Sequence, residues 1–417
     1  MTTRSWAVAG AVLAVGLAGG VGTAAPSAAA RADGTRAAKP AADQVRFATF
    51  NASLNRAVAG ELAADLATPD DAQAATVAEI IQRVRPDVLL VNEFDHDDRG
   101  RSLRLFQDNY LSVPHRGAKA INYPYRYSAP SNTGLATGLD LNNNGTAVTT
   151  PGTPGYADDA KGFGEFPGQY GMAVFSRYPI LTADVRTFQD FLWKDMPGNR
   201  IPPGFYTEAE QAVLPLSSKS HWDVPVLVGK KVVHAVVSHP TPPVFDGPED
   251  RNGRRNADEI RLSADLVRGG RNADYLVDDQ GRRGGLPRGA RFVVMGDQNS
   301  DPRDGDSLPG AIAPLLDSSL TNSRLTPSSL GGPEASAQQG GVNTTHTGNP
   351  RFDSADFNDA PGTSGNLRVD YVLPSRNLPV AAAAVFWPRQ GDPLSRLTGV
   401  FPFPSSDHRL VYVDVRS

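Results

Sequence analysis

The stretch RFVVMGDQNSDP, Arg291–Pro302, contains a change from apolar to polar residues on which the interpretation of the fold depends. Its first five residues, Arg291–Met295, have the composition of a buried strand. A glycine follows, and then come Asp297, Gln298 and Asn299. A carboxylate and a carboxamide two residues apart can form an Asx turn, or they can belong to a site at the end of a core strand. The other strand ends of the chain decide between these readings.

Similar apolar runs recur along the sequence and predict strands at 45–53, 87–95, 171–180, 231–240, 291–299, 368–375 and 408–415. Most of these runs carry polar or ionisable residues at one end, and two of them, 368–375 and 408–415, carry these residues at their start. The residues are Asn51, Glu93, His239, Asp297 with Asn299, Asp370, and Asp407 with His408. Strand ends at one edge of a layered fold can converge on a single cleft. Such a repeated pattern is harder to explain as a set of independent turns, so we predict one cleft.

The strand-like runs are nearly continuous in apolar residues, which indicates that both faces of the sheets are covered. Two segments predict the covering helices. The first begins at Asp70 and Asp71, ends before Pro86 and has one apolar face, formed by Val77, Ile80, Ile81 and Val84. The second is 254–270. The sequence therefore predicts one domain over 45–417, with sheets flanked by helices.

The N-terminus has the pattern of a secretory signal peptide, predicted over residues 1–30. Arg4 precedes an apolar run, and the small residues near Ala29 offer a cleavage site. Residues 31–44 read as a linker. A single membrane anchor is the alternative, but the apolar run is short and rich in glycine. We therefore expect a secreted, extracellular protein, and the composition favours a bacterial one.

Charge and cysteine content exclude several classes of function. The chain has 41 Lys and Arg against 45 Asp and Glu, a formal net charge of −4, which argues against a purely electrostatic nucleic-acid binder. It does not argue against a nuclease, whose active site needs only local positive charge or a metal. The chain has no cysteine, which excludes disulfides, thiolate catalysis and cysteine-ligated zinc.

The residues at the strand ends share a chemistry. Carboxylates and amides are hard oxygen ligands that suit Mg²⁺, Mn²⁺ or Ca²⁺. Two histidines, His239 and His408, supply acid–base capacity or hydrogen bonds to a charged oxygen. The sequence has neither a G-x-S-x-G elbow nor a P-loop. This set predicts metal-assisted attack of water on a phosphate ester.

Three motifs, GDQN, RVDYVLPS and SDHRLVYVDV, occur in this order and resemble the endonuclease/exonuclease/phosphatase superfamily, which includes deoxyribonuclease I. The resemblance covers roughly residues 45–416. It implies a four-layer α/β/β/α sandwich of two mostly antiparallel sheets flanked by helices. On the metal side it implies that Glu93 binds the ion with help from Asn51, and that Asp407 is a second carboxylate. Mg²⁺ is the implied cofactor, with Mn²⁺ or Ca²⁺ as alternatives.

The same resemblance assigns expected roles around the phosphate. His239 and His408 would contact it, Asp297 would orient or activate the attacking water, Asn299 would bind the phosphate, and Asp370 would orient His408. A carboxylate on one imidazole nitrogen fixes the tautomer and favours the charged form, which agrees with that expectation. Which residue is the general base stays open.

Four further residues are candidate substrate contacts. Arg255 and Asn256 lie near the start of the second predicted helix, where a phosphate can bind, although a solvated helix start is an equal alternative. For Tyr170 a place in the core is an equal alternative, and for His221 the alternative is a structural role packing on Trp222.

The segment GLDLNNNGTAV, 138–148, resembles the first half of a calcium loop through Asp140, Asn142 and Asn144. Pro151 stands where an EF-hand has glutamate, so a plain Asn/Gly turn is the alternative to a structural calcium site.

The sequence thus predicts a secreted, divalent-metal-dependent phosphoesterase that hydrolyses phosphodiester or phosphomonoester bonds. Its substrate would be a nucleic acid, a phospholipid head group or a small organophosphate, and we expect a monomer with no obligate protein partner. An extracellular DNA or RNA endonuclease is the first alternative. A non-catalytic binding module on the same scaffold is the second.

Overall fold

The strands of this computed structural model carry both the core and the site. The structure describes residues 40, 41 and 43–416. The predicted signal peptide, 1–30, and most of the predicted linker, 31–44, lie outside these residues. The strands are, in chain order, β1 (Gln44–Leu54), β2 (Val88–Phe94), β3 (Tyr125–Tyr127), β4 (Met172–Ser176), β5 (Arg186–Thr187), β6 (His221–Val228), β7 (Lys231–Ser238), β8 (Arg291–Asp297), β9 (Ala355–Asp356), β10 (Asn366–Leu367), β11 (Asp370–Pro374), β12 (Val380–Val385) and β13 (Val411–Arg416).

The helices cover these strands and include both predicted segments. They are α1 (Glu61–Asp65), α2 (Ala72–Val84), α3 (Arg101–Phe106), α4 (Glu208–Gln211), α5 (Arg251–Arg268), α6 (Ala313–Leu316) and α7 (Gly331–Gln339). Asp71 caps α2, since its carboxylate accepts a hydrogen bond from the backbone N–H of Ala74. None of the helices in the described part of the chain is long and apolar enough to cross a membrane.

Two large sheets form the inner layers. The first has the strand order β12-β13-β1-β2-β4-β3, and the second has the order β11-β8-β7-β6-β5. Each described sheet is antiparallel except for one parallel pair, which is β1–β2 in the first and β7–β8 in the second. Strands β9 and β10 form a separate two-stranded ribbon. The predicted pair of mostly antiparallel sheets is confirmed.

The two sheets face each other through one apolar core. Phe47 and Leu90 of the first sheet belong to the same buried cluster as Val237 and Met295 of the second. Because side chains alternate along a strand, every second residue of these strands points into this inner core. Burying an aliphatic or phenyl side chain of this size contributes about 1.5–3 kcal/mol.

The remaining alternate residues pack against the helices. On the first sheet, Phe50 shares a buried cluster with Ile81 of α2. On the second sheet, Val294 shares another with Ile260 of α5. The order is therefore helices, sheet, sheet, helices, and the predicted four-layer α/β/β/α sandwich is confirmed.

Candidate active site

The alternation that builds the inner core also aims the catalytic candidates. On β8, Met295 faces the inner core, and two residues later Asp297 faces the same way. On β11, Val372 is in the inner core and Asp370 precedes it by two residues. Asp370 and Asp297 are paired in the antiparallel register of these neighbouring strands. The second sheet therefore presents two buried carboxylates side by side.

The first sheet meets these carboxylates through two asparagines. The Asn51 Nδ2 group at the end of β1 donates hydrogen bonds to Asp297 Oδ2 at 3.1 Å and to Glu93 Oε1 at 3.0 Å. On β2, Asn92 Oδ1 accepts a hydrogen bond from the Asp297 backbone N–H at 3.3 Å. Sequence reasoning missed Asn92, although it lies on the inner-facing alternation of its strand, after Val88 and Leu90. These bonds fasten the two sheets together at the cleft.

His408 and Asp370 form a buried pair beside Asp297. The Asp370 carboxylate accepts hydrogen bonds from His408 Nδ1 at 2.9 Å and from the Ser354 hydroxyl at 2.9 Å. Burial alone would lower the pKa of His408, but the charges of Asp370 and Asp297 outweigh it and raise the pKa to about 10. At neutral pH the ring is therefore an imidazolium, and its Nε2 atom lies 3.6 Å from Asp297 Oδ2 and 3.5 Å from Asn51 Nδ2.

Asp297 lies at the centre of the group. Its Oδ2 atom is 3.4 Å from His239 Nε2 and 3.6 Å from His408 Nε2, and its Oδ1 atom accepts the backbone N–H of Asn299 at 2.8 Å. Burial raises the pKa of Asp297 to about 7, against the attraction of the His408 imidazolium. A carboxylate with a pKa near neutrality is suited to accept a proton from water.

His239 follows β7 and differs in charge from His408. Burial lowers its pKa well below the ordinary value, and the nearby positive charges of Lys219 and His408 lower it further. It is therefore a neutral imidazole, and its Nδ1 atom is buried without a hydrogen-bond partner among the described residues. The two histidines predicted to contact the phosphate therefore both lie beside the Asp297 carboxylate. His408 is charged and His239 is neutral.

Glu93 reaches the cleft through an unusual backbone conformation. Val91 and Phe94 both pack in the outer core under α2, so simple alternation would also direct Glu93 away from the cleft. Its φ is 56°, in the left-handed region, and its side chain lines the cleft instead. Such a conformation costs about 1–3 kcal/mol in a non-glycine residue and is concentrated at functional sites.

Backbone strain is a general property of this cleft. Among the described residues, nine non-glycine positions have positive φ, and six of these line the cleft: Ser53, Glu93, Tyr170, Phe245, Asp250 and Asn299. Two of these six, Glu93 and Asn299, belong to the polar group at the strand ends.

The residues on the Glu93 side fit a divalent cation. Glu93 and Asp407 both line the cleft and offer carboxylate oxygens. Burial raises the pKa of Glu93, and the negative charge of Asp407 raises it further, so a cation there would relieve the cost of two adjacent carboxylates. Asn51 donates its amide hydrogens to Glu93 and Asp297, so in this structure it orients carboxylates.

A second acidic grouping is a poorer cation site. Within the residues described, Asp297, Asp370 and His408 present ligand atoms within 4.8 Å of one another. Metal ligands must be deprotonated, whereas His408 has a raised pKa and its Nδ1 atom is bonded to Asp370. Of the two groupings, the residues on the Glu93 side are therefore the better fit to a divalent cation.

Three other predicted residues differ in their access to the cleft. Tyr170 and Asn299 line it directly. Arg255 also lines it, but its guanidinium donates hydrogen bonds to the backbone carbonyls of Lys161, Pro215 and Leu216. Those bonds give Arg255 a role in holding the surrounding loops.

The structure corrects the expected substrate contacts of Asn256 and His221. Asn256 is fully buried, and its Nδ2 group donates to the carbonyls of Thr241 and Gln298. His221 is 1% exposed; its Nε2–H donates to the Glu259 carbonyl at 2.9 Å, and its Nδ1 accepts from the Ser217 hydroxyl at 2.6 Å. Neither lines the cleft, so both side chains have structural roles.

The buried His221 predicts an acid sensitivity of the fold. Burial lowers its pKa from 6.5 to about 4. Between these values the unfolded chain binds a proton that the folded chain does not, so stability falls as the pH drops from 6.5 towards 4. The shift corresponds to about 3 kcal/mol. We expect the free energy of unfolding, measured in urea, to decrease less as the pH is lowered from 6.5 to 4 in His221→Gln than in the wild type. Parallel curves for the two proteins would contradict this.

The predicted calcium loop has the geometry of a turn. The Asp140 carboxylate accepts the backbone N–H groups of Asn144 and Gly145, and the Asn144 side chain accepts that of Thr146. The Asn142 side-chain oxygen also accepts the Asn144 backbone N–H. The candidate ligand oxygens of these three residues are therefore bonded to the loop's own backbone, as in the alternative Asn/Gly turn.

The cleft has a volume of about 1450 Å³ and is acidic beyond the catalytic group. Its outer lining carries six aspartates: Asp158, Asp246, Asp250, Asp301, Asp304 and Asp306. The arginines in the same lining, Arg251 and Arg255, are bonded to Glu249 and to backbone carbonyls, respectively. Exposed aromatic rings, Phe163 and Phe245, complete the rim.

Several solved structures are similar to this chain at low sequence identity. Among solved structures, the chain is similar to an endonuclease/exonuclease/phosphatase from Beutenbergia cavernae, with 16% identity over 89% of this chain and 71% of that chain and a TM-score of 0.44. It is similar to a family protein from Leptotrichia buccalis, with 13% identity over 89% and 100% and a TM-score of 0.45. The human Nocturnin catalytic domain has 14% identity over 90% and 96%, with a TM-score of 0.44.

A search of the curated proteins gave no match. The family model described as Endonuclease/Exonuclease/phosphatase family matches residues 48–408, which include each of the catalytic candidates described above. Because this match runs through most of the sequence, the chain belongs to the Endonuclease/Exonuclease/phosphatase family.

Proposed function

We propose that this protein is a secreted, divalent-metal-dependent phosphoesterase that hydrolyses small phosphodiesters or phosphomonoesters. Its family hydrolyses phosphoester bonds in general. The observation that carries the proposal is the buried group of Asp297, His239, His408 and Asp370 beside Glu93. Secretion is supported by the N-terminal sequence pattern.

The protein's own residues supply the steps at the phosphate. Asp297 orients the water and takes its proton, since its carboxylate is buried and titrates near neutrality. The water oxygen bonds to phosphorus, the P–O bond to the leaving group breaks, and the leaving oxygen takes up a proton from solvent. The Nε2–H group of the His408 imidazolium donates to a phosphoryl oxygen, and Asp370 holds the ring in that state. Neutral His239, which follows the neighbouring strand β7, supplies a second contact to the phosphate. Asn51 keeps Asp297 and Glu93 aligned.

Glu93 and Asp407 would hold the divalent cation. When bound, such a cation offsets negative charge on the phosphate oxygens and polarises the phosphorus centre. The oxygen-rich donor set favours Mg²⁺ or Mn²⁺, with Ca²⁺ as the alternative.

The acidic rim favours small substrates over nucleic acid. A duplex carries one negative charge per roughly 1.7 Å of helix axis, so a strand laid along the cleft would place phosphates near the rim aspartates. A small ester presents its charge only at the catalytic group. We therefore place the endonuclease alternative second.

The activity test compares three substrates under metal control. The purified protein is assayed on bis-p-nitrophenyl phosphate, p-nitrophenyl phosphate and plasmid DNA, with EDTA and then with Mg²⁺, Mn²⁺ or Ca²⁺ restored. We expect EDTA to lower turnover by about 100-fold or more and the added metal to restore it, because the charge on the phosphate is otherwise uncompensated.

The salt dependence of the same assay separates a small-ester hydrolase from a nuclease. Repulsion by the rim predicts that any cleavage of DNA is slow and becomes faster with added salt, as the aspartates are screened. DNA cleavage that is fastest at low salt would favour the nuclease. No turnover on any substrate with any metal would contradict the proposed function.

A further inference from the structure

The mouth of the cleft carries two exposed phenylalanine rings that the steps above leave unused. Phe245 is 90% exposed and Phe163 is 57% exposed, and both line the cleft that contains Asp297 and His239. The other large apolar side chains that are exposed in the described part of the chain lie outside this cleft. Exposed apolar surface beside a catalytic group is a feature of ligand-binding sites.

The backbone of Phe245 is held in a strained conformation. Its φ is 65°, a value that is rare for a bulky residue and costs free energy. Asn252 of α5 fixes the residues on both sides of the ring. Its backbone N–H donates to the Asp246 carboxylate at 2.6 Å, and its Nδ2 group donates to the Val244 carbonyl at 2.7 Å. The loop after β7 is therefore built to keep this ring at the mouth of the cleft.

Phe163 is held in place by the two glycines that flank it. A Cβ atom at Gly162 would overlap the Ser218 carbonyl, and one at Gly164 would lie 2.8 Å from the backbone nitrogen of Gly134. The Gly162 carbonyl also accepts the Gly134 N–H at 2.9 Å. The backbone on both sides of Phe163 therefore packs tightly against neighbouring segments, while the ring itself stays exposed.

One buried carboxylate connects the two segments that carry the rings. Glu259 of α5 is fully buried, and it accepts the backbone N–H of Ser218 at 2.7 Å and that of Thr241 at 2.6 Å. Ser218 is the residue on which Gly162 packs, and Thr241 lies at the start of the loop that leads to Phe245. Both rings therefore belong to one hydrogen-bonded framework, which favours a preformed binding surface over a mobile one.

The cleft also has an apolar floor. Leu141, Tyr206 and Leu214 line it and belong to one buried cluster. Tyr206 is 8% exposed, and its hydroxyl has no hydrogen-bond partner among the described residues. A phenol buried to this extent usually has such a partner, so the hydroxyl is available to a ligand. We call these three residues, together with Phe163 and Phe245, the aromatic subsite.

The size of the cleft leaves room for an organic group beside the phosphate. Its volume is about 1450 Å³, whereas sites for drug-sized ligands measure roughly 300–1,000 Å³. A phosphate held at Asp297 and His408 would occupy a small part of this space. The rest of the substrate must therefore contact the remaining lining, part of which is the aromatic subsite.

We propose that the aromatic subsite binds an apolar group, aromatic or branched alkyl, that is attached to the substrate phosphate. This inference rests on the proposed phosphoesterase function and names the class of ester it acts on. Phe163 and Phe245 determine specificity in this assignment, because a bound apolar group covers their exposed rings. They take no part in the reaction at phosphorus.

The test uses phosphonates, because the proposed reaction breaks a P–O bond and leaves their P–C bond intact. Benzylphosphonate and methylphosphonate differ by a phenyl ring, and calorimetry measures the Kd of each on the metal-loaded protein. Covering a phenyl ring corresponds to a gain of about 10- to 100-fold in affinity. We expect benzylphosphonate to bind the wild type more tightly than methylphosphonate by that factor.

Variants of the two rings test the ratio of these affinities. Phe163→Ala and Phe245→Ala should each lower the ratio by about 3- to 10-fold and leave the affinity for methylphosphonate unchanged. Phe245→Leu keeps an apolar side chain and should retain most of the ratio. Tyr125→Ala is the matched control, since it removes an exposed aromatic ring outside the cleft and should equal the wild type.

An unchanged ratio in both alanine variants would overturn the proposal. The rings lie on different segments, so a misfolded variant at one position leaves the other to decide. A third compound, 2-aminoethylphosphonate, tests whether the aspartates of the rim select a cationic group instead. Tighter binding of this compound than of benzylphosphonate would also overturn the apolar assignment.

Failure of this inference differs from failure of the proposed function, because phosphonate binding is measured without turnover. A wild type that binds benzylphosphonate more tightly than methylphosphonate but hydrolyses no ester contradicts the phosphoesterase and retains the aromatic subsite as a binding site. A wild type that hydrolyses esters but binds the two phosphonates equally, or binds neither, overturns the aromatic subsite alone.

Discussion

His408→Ala is expected to lower kcat by about 10³-fold or more. The change removes the imidazolium that Asp370 holds at 2.9 Å and that lies 3.6 Å from Asp297. No other described side chain bonded to Asp370 carries a positive charge, since its second partner is the Ser354 hydroxyl. Turnover of bis-p-nitrophenyl phosphate at saturating Mg²⁺ measures the effect, and circular dichroism measures the folded fraction.

Two further variants are compared with His408→Ala. His346→Ala removes a histidine that does not line the cleft, and it should retain wild-type turnover. Asp370→Asn removes the charge that raises the pKa of His408, so it should lower turnover by about 100-fold while leaving the ring in place. A catalytic group is expected to cost far more than a tenfold loss of kcat when it is removed. A folded His408→Ala protein that keeps more than about a tenth of wild-type kcat would therefore exclude His408 from the chemistry.

Glu93→Gln is expected to weaken binding of Mg²⁺ or Mn²⁺ by at least about 10-fold, and kcat should fall by about 100-fold at limiting metal. The substitution keeps the shape of the side chain and its contact with Asn51 but removes a charged oxygen ligand. Because affinity is the quantity lost, part of the activity should return at high metal concentration. Calorimetry with Mn²⁺ and the metal dependence of kcat provide the two readouts.

Glu165→Gln is the matched control for Glu93. Glu165 lies in the segment leading to Tyr170 and does not line the cleft, so its loss should change neither metal affinity nor turnover. Equal metal affinity in Glu93→Gln and the wild type would place the cation elsewhere. A higher metal affinity in the variant would contradict the assignment even more directly.

Much of the site follows from the sequence because strands alternate. Once Arg291–Met295 is interpreted as a buried strand, Asp297 must lie on the same face as Met295. The same alternation places Asp370 on the face of Val372. The polar strand ends then converge because the strands belong to two facing sheets. For these residues the local pattern was sufficient.

Strand alternation does not account for every residue of the site. The position of Glu93 at a strand end makes it a candidate, but the left-handed φ that turns its side chain towards the cleft cannot be read from the amino-acid sequence. Lys219, His221 and Asn256 all lie near polar strand or helix ends in the sequence. Burial and hydrogen-bond partners separate them, since only Lys219 lines the cleft.

The sequence by itself predicted strands covered by helices and polar side chains gathered at the strand ends, because apolar periodicity and residue chemistry are local properties of the chain. The four-layer order and the expected role of each site residue came from the resemblance to the family. Only the tertiary structure decided which polar side chains have an available donor or acceptor. Arg255 is committed to carbonyls 40 and 94 positions away in the chain, while Lys219 is left without a partner among the described residues. Such commitments depend on contacts between distant segments, and those contacts form only when the two sheets pack together.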